Sequence, residues 1–401
     1  MNRVIVTGRG VQSAIGRGVP AFSNALQRGQ VGIAELSDLP VKMGAPIREF
    51  DPASEFSAAD NALMDRATQL ALLSALEAVD ESGLDVSEGL GPRTAVIVGV
   101  GSGNISSLDE SYRIHLGQSG KRLHPFTVPK IMGNAAASHI SLRLGVTGPA
   151  FVVSTACASS AYAIGLGMQM IRSGAVDVAI VGGTEACLVE GNLKGWEALR
   201  VLSPDTCRPF SKGRRGLVLG EGSAMLVLES LDHARTRYAP VFGELRGYAI
   251  NSDAHHILSP SQQGQAAAIR DCLRDAQVDD EQLVYVNAHG TATLANDVTE
   301  TRALRESLGA RADSLQVSSS KSMHGHTLGA GGAMELLVTL LALHERFAPP
   351  TMNFIEADPE CDLNYVPNEA QELRAGHYAL SNSFAFGGHN AVLAVRSTAI
   401  V

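Results

Sequence analysis

The chain has 401 residues, 45% of them hydrophobic and 18% charged, with a formal net charge of −9 at pH 7. That length exceeds one ordinary hydrophobic core, which points to two domains or two tightly packed halves of a globular protein. The negative balance argues against a generic nucleic-acid or anionic-membrane surface, and five cysteines without C-x-x-C spacing fit a reducing cytoplasm better than a disulfide framework.

Apolar runs predict strands at Val4–Thr7, Thr94–Val98, Phe151–Ser154, Val176–Val181, Ala224–Leu228, Val284–Asn287, Leu315–Ser318, Ala379–Asn382 and Ala391–Val395. Helical patterns lie between many of them, at Ser57–Ser82, Ala158–Ser173, Gln265–Ala276, Asp297–Leu308 and Gly331–His344. Alternation of this kind predicts an α/β chain whose sheets are covered by helices. Gly99–Val128 reads as the longest irregular stretch, a loop covering a site or a partner contact. The apolar core of the N-terminus is too short for a secretory signal, and no segment approaches the roughly 20 apolar residues of a membrane span. Two half-resemblances suggest duplication. Val153–Cys157 is similar to Val317–Lys321, and Val96–Gly99 to Val284–Asn287, so two similar halves are expected, meeting near residues 235–250.

The chemistry gathers at strand ends. Cys157 follows the strand Phe151–Ser154 and precedes a helix rich in small residues, so it belongs on a turn at a helix N-terminus, where unpaired N–H groups favour a thiolate. A buried packing cysteine is the competing reading at that position. Three polar clusters follow other strands: Asn287–Thr293 with His289, Thr291 and Thr293; Lys321–His326 with Lys321, His324 and His326; and Asn382–Asn390 with Phe386. A thiol with imidazoles is an acyl-transfer set, and neighbouring glycines permit close substrate approach. The His324-x-His326 pair lacks further ligand spacing for a metal, and Gly99–Gly103 fails the G-x-G-x-x-G dinucleotide spacing. No metal or other cofactor is expected.

With Val181–Ala186, Arg208–Phe210, Leu219–Gly222 and Asn251–Ala254, these clusters resemble, over nearly the whole chain, the beta-ketoacyl-acyl-carrier-protein synthases, elongating condensing enzymes of the thiolase-like superfamily. The resemblance implies a thiolase-like fold, two duplicated halves (1–243 and 244–401) in a five-layered α-β-α-β-α arrangement. It implies a decarboxylative Claisen condensation of an acyl thioester with malonyl-acyl-carrier-protein, in fatty-acid or specialised polyketide or aryl-polyene synthesis. Acyl carrier protein would be the partner, in a homodimer or a heterodimer with a related ketosynthase-like subunit. Cys157 is similar to the acyl-accepting nucleophile, and His289 and His326 to the imidazoles acting on the malonyl group. Lys321 matches the active-site lysine, Glu300 the acid that helps hold it, and Phe386 the gating residue whose N–H joins the oxyanion hole. Leu108 and residues 126–132 are candidate walls of the acyl pocket. Ala385, Leu294 and Asn296 depart from the family pattern. The helix around Ser57–Asp65 lacks the usual basic residues, so a docking patch would fall to Arg66, Lys130, Lys212, Arg214 and Arg215. A non-catalytic chain-length-determining subunit, a thiolase-type acyltransferase and a cysteine hydrolase are the rival readings.

Overall fold

The computed structural model describes residues 1–37, 39–117, 122–278 and 282–397. Eleven strands build its main sheet: the two-residue strand Gly16–Arg17, which pairs with β1 at its end, and ten that run across it, β1 (Val4–Ser13), β2 (Thr94–Val100), β3 (Ala150–Val153), β4 (Val178–Glu185), β5 (Gly222–Ser230), β6 (Gly243–Ser252), β7 (Leu283–Asn287), β8 (Gln316–Ser318), β9 (Tyr378–Ala385) and β10 (His389–Arg396). Across the sheet the order is β8-β7-β9-β10-β6-β1-β5-β4-β2-β3. Read outward from the centre, one half runs 1, 5, 4, 2, 3 and the other 6, 10, 9, 7, 8, the same order offset by five. The directions match too: two antiparallel pairings followed by two parallel ones in each half. β1 and β6 join the halves antiparallel through Val4–Val6 and Gly243–Leu245.

Helices cover both faces in five layers, the thiolase-like arrangement. Arg66–Ser82 and Ala135–Leu144 pack outside the first half. Gln262–Ala276 and Leu294–Leu308 pack outside the second. Ser159–Arg172 and Gly331–Glu345 fill the middle, and the largest apolar cluster surrounds them. A helix wrapped in protein on all sides needs no polar face. That explains why Leu328–Glu345, contrary to the sequence reading, is long and apolar enough to cross a membrane, yet has 89% of its residues buried inside the protein.

Three other expectations change. The predicted helix Ser57–Ser82 is two helices, Ala58–Leu63 and Arg66–Ser82, because the Asp65 side chain accepts the Ala67 N–H at 2.8 Å and caps a new start. The supposed irregular stretch contains the helix Ile105–Gly117, whose exposed surface shows little apolar periodicity. β6 went unpredicted although it is central. Its alternation is interrupted by Glu244 and Arg246, and the buried Glu244 is neutralised by Arg246 on the same strand and by Arg3 and Arg396 from neighbouring segments.

Candidate active site

Cys157 sits on the turn between β3 and the helix Ser159–Arg172. Ser159 closes that turn: its Oγ accepts the Thr155 N–H at 2.9 Å and donates to the Ala156 carbonyl at 2.6 Å. Ala156 is thereby held at φ 50, a left-handed conformation that needs such support. The helix start lies so close to β2 that a Cβ on Gly99 would fall 2.2 Å from the Ser160 nitrogen.

β7 delivers His289 and β8 delivers Lys321, while His326 is clamped by the segment Val218–Gly220. The His326 N–H donates to the Val218 carbonyl at 2.7 Å, and the Gly220 N–H to the His326 carbonyl at 3.0 Å. These stretches converge. His326 Nε2 lies 3.1 Å from Cys157 Sγ, and the two imidazole rings stand edge to face with centroids 5.5 Å apart. Cys157, His289, His326, Thr291, Thr293 and Phe386 all line one cavity that opens to solvent.

Hydrogen bonds on the far side of each ring assign its proton. The Leu328 N–H donates to His326 Nδ1 at 3.3 Å, so the neutral ring carries its hydrogen on Nε2, toward the sulfur. Lys321 Nζ approaches His289 Nδ1 at 3.3 Å and donates to the His289 carbonyl at 2.6 Å, which again leaves Nε2–H for the cavity. Burial, reinforced by the Lys321 charge, holds both imidazoles well below 6.5, so both are neutral near pH 7. His324 belongs elsewhere: fully buried, it pairs with Gly325 and Ser320 and is pushed down to about 3 by burial.

The helix-terminus argument expected a lowered thiol at Cys157. Burial outweighs it, pushing the group up to about 12, while the Lys321 charge and a hydrogen bond from the Phe386 backbone pull the other way. The Phe386 ring stacks on Trp196 at 5.9 Å between centroids and forms part of the cavity wall.

Lys321 and Glu300 need a correction. Lys321 is buried and its ion-pair partner is Glu335, from the middle of the central helix. Glu300 does not line the cavity. Its two oxygens accept the His289 and Gly290 N–H groups, both at 2.8 Å, so it shapes the histidine loop. Glu335 was legible in retrospect: it is the one carboxylate inside the apolar run Gly331–Leu343, where a charge requires a buried partner. Thr291 and Thr293 face the cavity with their hydroxyls 2.8 Å apart, and Thr293 also caps the helix Leu294–Leu308. Leu108 lies on the helix Ile105–Gly117 and is not among the cavity residues. His256 also lines the cavity, beside Ile257 and Leu258.

The expected basic patch is largely committed elsewhere. Arg66 makes a double hydrogen bond to Glu221, at 2.8 and 2.7 Å. Arg214 is buried against Asp297 and Asp358, and Lys212 pairs with Glu356. Lys130 and Arg215 remain.

The family models for the beta-ketoacyl synthase N-terminal domain and C-terminal domain match residues 1–234 and 242–355. The chain belongs to the beta-ketoacyl synthase family. It is 43% identical over 399 residues to nodulation protein E of Rhizobium sp. (strain N33), covering 98% of this chain and 99% of that one. It is 38% identical over 407 residues to the 3-oxoacyl-(acyl-carrier-protein) synthase 2 of Synechocystis sp., covering 98% of each. Among solved structures, the ishigamide ketosynthase/chain length factor superposes with a TM-score of 0.92 at 34% identity, covering 99% of both chains. The thiolase-like fold and a condensing, acyltransferase-type activity follow from that membership.

Proposed function

We propose that Cys157 accepts an acyl group from a thioester and that His289 and His326 stabilise the enolate formed from malonyl-acyl-carrier-protein, joining the two in a decarboxylative Claisen condensation. The observation that carries this reading is the pair of fixed tautomers, which aims two Nε2–H donors into the cavity that holds the thiol. In the first half-reaction the sulfur attacks the acyl carbonyl, its proton ends on the departing carrier thiol, and the Phe386 N–H faces the developing oxyanion. Acylation leaves a neutral sulfur, so the malonyl carboxylate can approach. Loss of carbon dioxide then leaves an electron pair on the enolate, its oxygen held by the two imidazole N–H groups. The enolate carbon attacks acyl-Cys157, forming the carbon-carbon bond and expelling the thiolate, which takes up a proton. Lys321, held by Glu335, keeps the His289 proton on Nε2.

The rival readings fare worse. A chain-length subunit needs no nucleophile, yet Cys157 and both imidazoles converge here. A thiolase needs a second cysteine in the site, whereas Cys157 is the one cysteine lining the cavity and Cys361 packs in the outer core of the second half. A hydrolase would leave the second imidazole without a task.

The carrier is assigned because the Synechocystis relative is named for it. A dimer, with a second copy or a ketosynthase-like subunit, is supported by the exposed apolar residues Tyr112, Leu116, Phe126, Val128 and Met132, and by the open edge of strand β3. Residues 1–243 and 244–401 are taken as the duplicated halves on the strength of the repeated strand order. A cytoplasmic setting suits five cysteines that are all free.

The test is a mass-resolved assay with malonyl-loaded carrier and a panel of acyl donors. Acylation should map to Cys157 and products should be two carbons longer. Carbon-carbon bond formation that survives Cys157→Ala would overturn the mechanism.

A further inference from the structure

At the end of β4, Glu185 is a completely buried carboxylate. Among the described residues no cation lies within ion-pair distance of it. Its partners are peptide groups from two different loops. Oε2 accepts the Gly101 N–H at 2.9 Å and the Gly329 N–H at 3.0 Å, and Oε1 accepts the Ser102 N–H at 3.0 Å. A buried carboxylate with no counter-ion is costly, and a core of ordinary design would use an apolar side chain there.

What this carboxylate holds is a strained turn. Leu328 has φ 44, a conformation that a branched side chain adopts only when its surroundings enforce it. The next peptide, Gly329 N–H, is the one that Glu185 grips, and the Leu328 N–H is the group donated to His326 Nδ1. The fit is close on all sides: a Cβ on Gly329 would lie 2.1 Å from the Gly101 nitrogen and 2.9 Å from Glu185 Oε2. If the turn relaxed, the Leu328 N–H would leave His326 Nδ1, and the imidazole proton would be free to sit on either nitrogen.

We propose that Glu185 is a positioning residue of the condensation: by gripping Gly329 it holds the strained Leu328 turn, and the Leu328 N–H in turn keeps the His326 proton on Nε2, facing Cys157. Glu185 touches neither substrate nor sulfur and acts through His326. The inference rests on the condensing reading of the site.

The test uses full-length protein with ¹⁵N-labelled imidazoles, the His326 signals being assigned with His326→Asn. Turnover is counted per Cys157 that can be acylated, which removes any misfolded fraction. Wild-type protein should show His326 as the Nε2–H tautomer. Glu185→Gln can place its carbonyl oxygen at the Oε2 position and should keep both tautomer and turnover within about threefold. Glu185→Ala should give a tautomer mixture and slow malonyl decarboxylation per acylated site by about tenfold or more, since one oxyanion donor is worth about 100-fold or more, with KM for malonyl carrier unchanged. Should that variant fail to fold, Glu185→Asp withdraws the carboxylate by one methylene and carries the same expectation. An unchanged Nε2–H tautomer in Glu185→Ala or Glu185→Asp overturns the proposal, whatever happens to turnover. Wild-type protein that never forms acyl-Cys157 would instead sink the condensing reading, a separate failure.

Discussion

Replacing Glu335 by leucine should destabilise the protein sharply, and removing Lys321 as well should restore most of the loss. Lys321 and Glu335 are each only 1% exposed and form an ion pair between the Lys321 loop and the central helix. Breaking one side of such a pair leaves a buried charge without compensation, typically about 3–5 kcal/mol, whereas replacing both sides with apolar groups is often close to neutral. Lys321 Nζ also donates to the His289 carbonyl at 2.6 Å, and losing that bond costs about 1 kcal/mol in the double variant. Glu335→Leu should therefore lose about 4 kcal/mol, and Lys321→Met/Glu335→Leu about 1–2 kcal/mol, by urea unfolding with linear extrapolation at pH 7.5. The double variant should still decarboxylate malonyl carrier poorly, because His289 Nδ1 has lost its donor. Glu300→Leu provides the contrast: it orphans the His289 and Gly290 N–H groups, and Lys321→Met should not rescue it. The reasoning fails if the double variant is no more stable than Glu335→Leu, or if Lys321→Met rescues Glu300→Leu instead.

Cys157→Gln should uncouple the half-reactions, since an amide at that position imitates the acylated, uncharged sulfur. Malonyl carrier should still lose carbon dioxide while no longer chain forms, and undiminished condensation would reject this. Because burial and the Lys321 charge depress both His289 and His326, their ¹⁵N signals should not titrate between pH 8 and pH 6. A transition near 6.5 at either ring would contradict the fixed tautomers. Arg66→Ala should lower stability by about 2 kcal/mol by leaving the buried Glu221 unpaired, with KM for the carrier unchanged. A raised KM at wild-type stability would return Arg66 to the docking surface.

Much of the architecture was visible in the linear pattern because buried strands and helices carry their own periodicity. Nine of the ten main strands announce themselves as apolar runs. The exception, β6, buries Glu244 against Arg3 and Arg396 from two distant stretches as well as its own Arg246, and no local pattern reveals a charge neutralised largely at long range. The site divides in the same way. Cys157, His289 and His326 stand at strand ends beside glycines, where functional side chains are expected. The partner of Lys321 depended on which carboxylate the fold would bring near, and Glu335, only 14 residues away, sits on a helix whose apolar run disguised it. Lys212 and Arg214 looked free for docking because their acidic partners, Glu356 and Asp358, lie more than a hundred residues away. Electrostatic partners across the fold were the illegible part; the nucleophile and its imidazoles were not.

The thiol is where local and global physics disagree most, and that disagreement can be measured. A cysteine at a helix N-terminus is expected to ionise early, and the Phe386 backbone and the Lys321 charge add to that tendency. Burial opposes all three and wins, placing Cys157 at about 12. Alkylation by iodoacetamide should therefore keep accelerating as pH rises from 7 to 9, by up to about tenfold per unit, because only the thiolate reacts. Lys321→Met removes a charge that favours the thiolate and should slow alkylation at every pH in that range. A rate that levels off below pH 7 would mean that the helix terminus prevails over burial. A neutral resting thiol also suits the order of steps, because the sulfur gives up its proton only as the acyl group arrives, and no negative charge then meets the malonyl carboxylate in the same cavity.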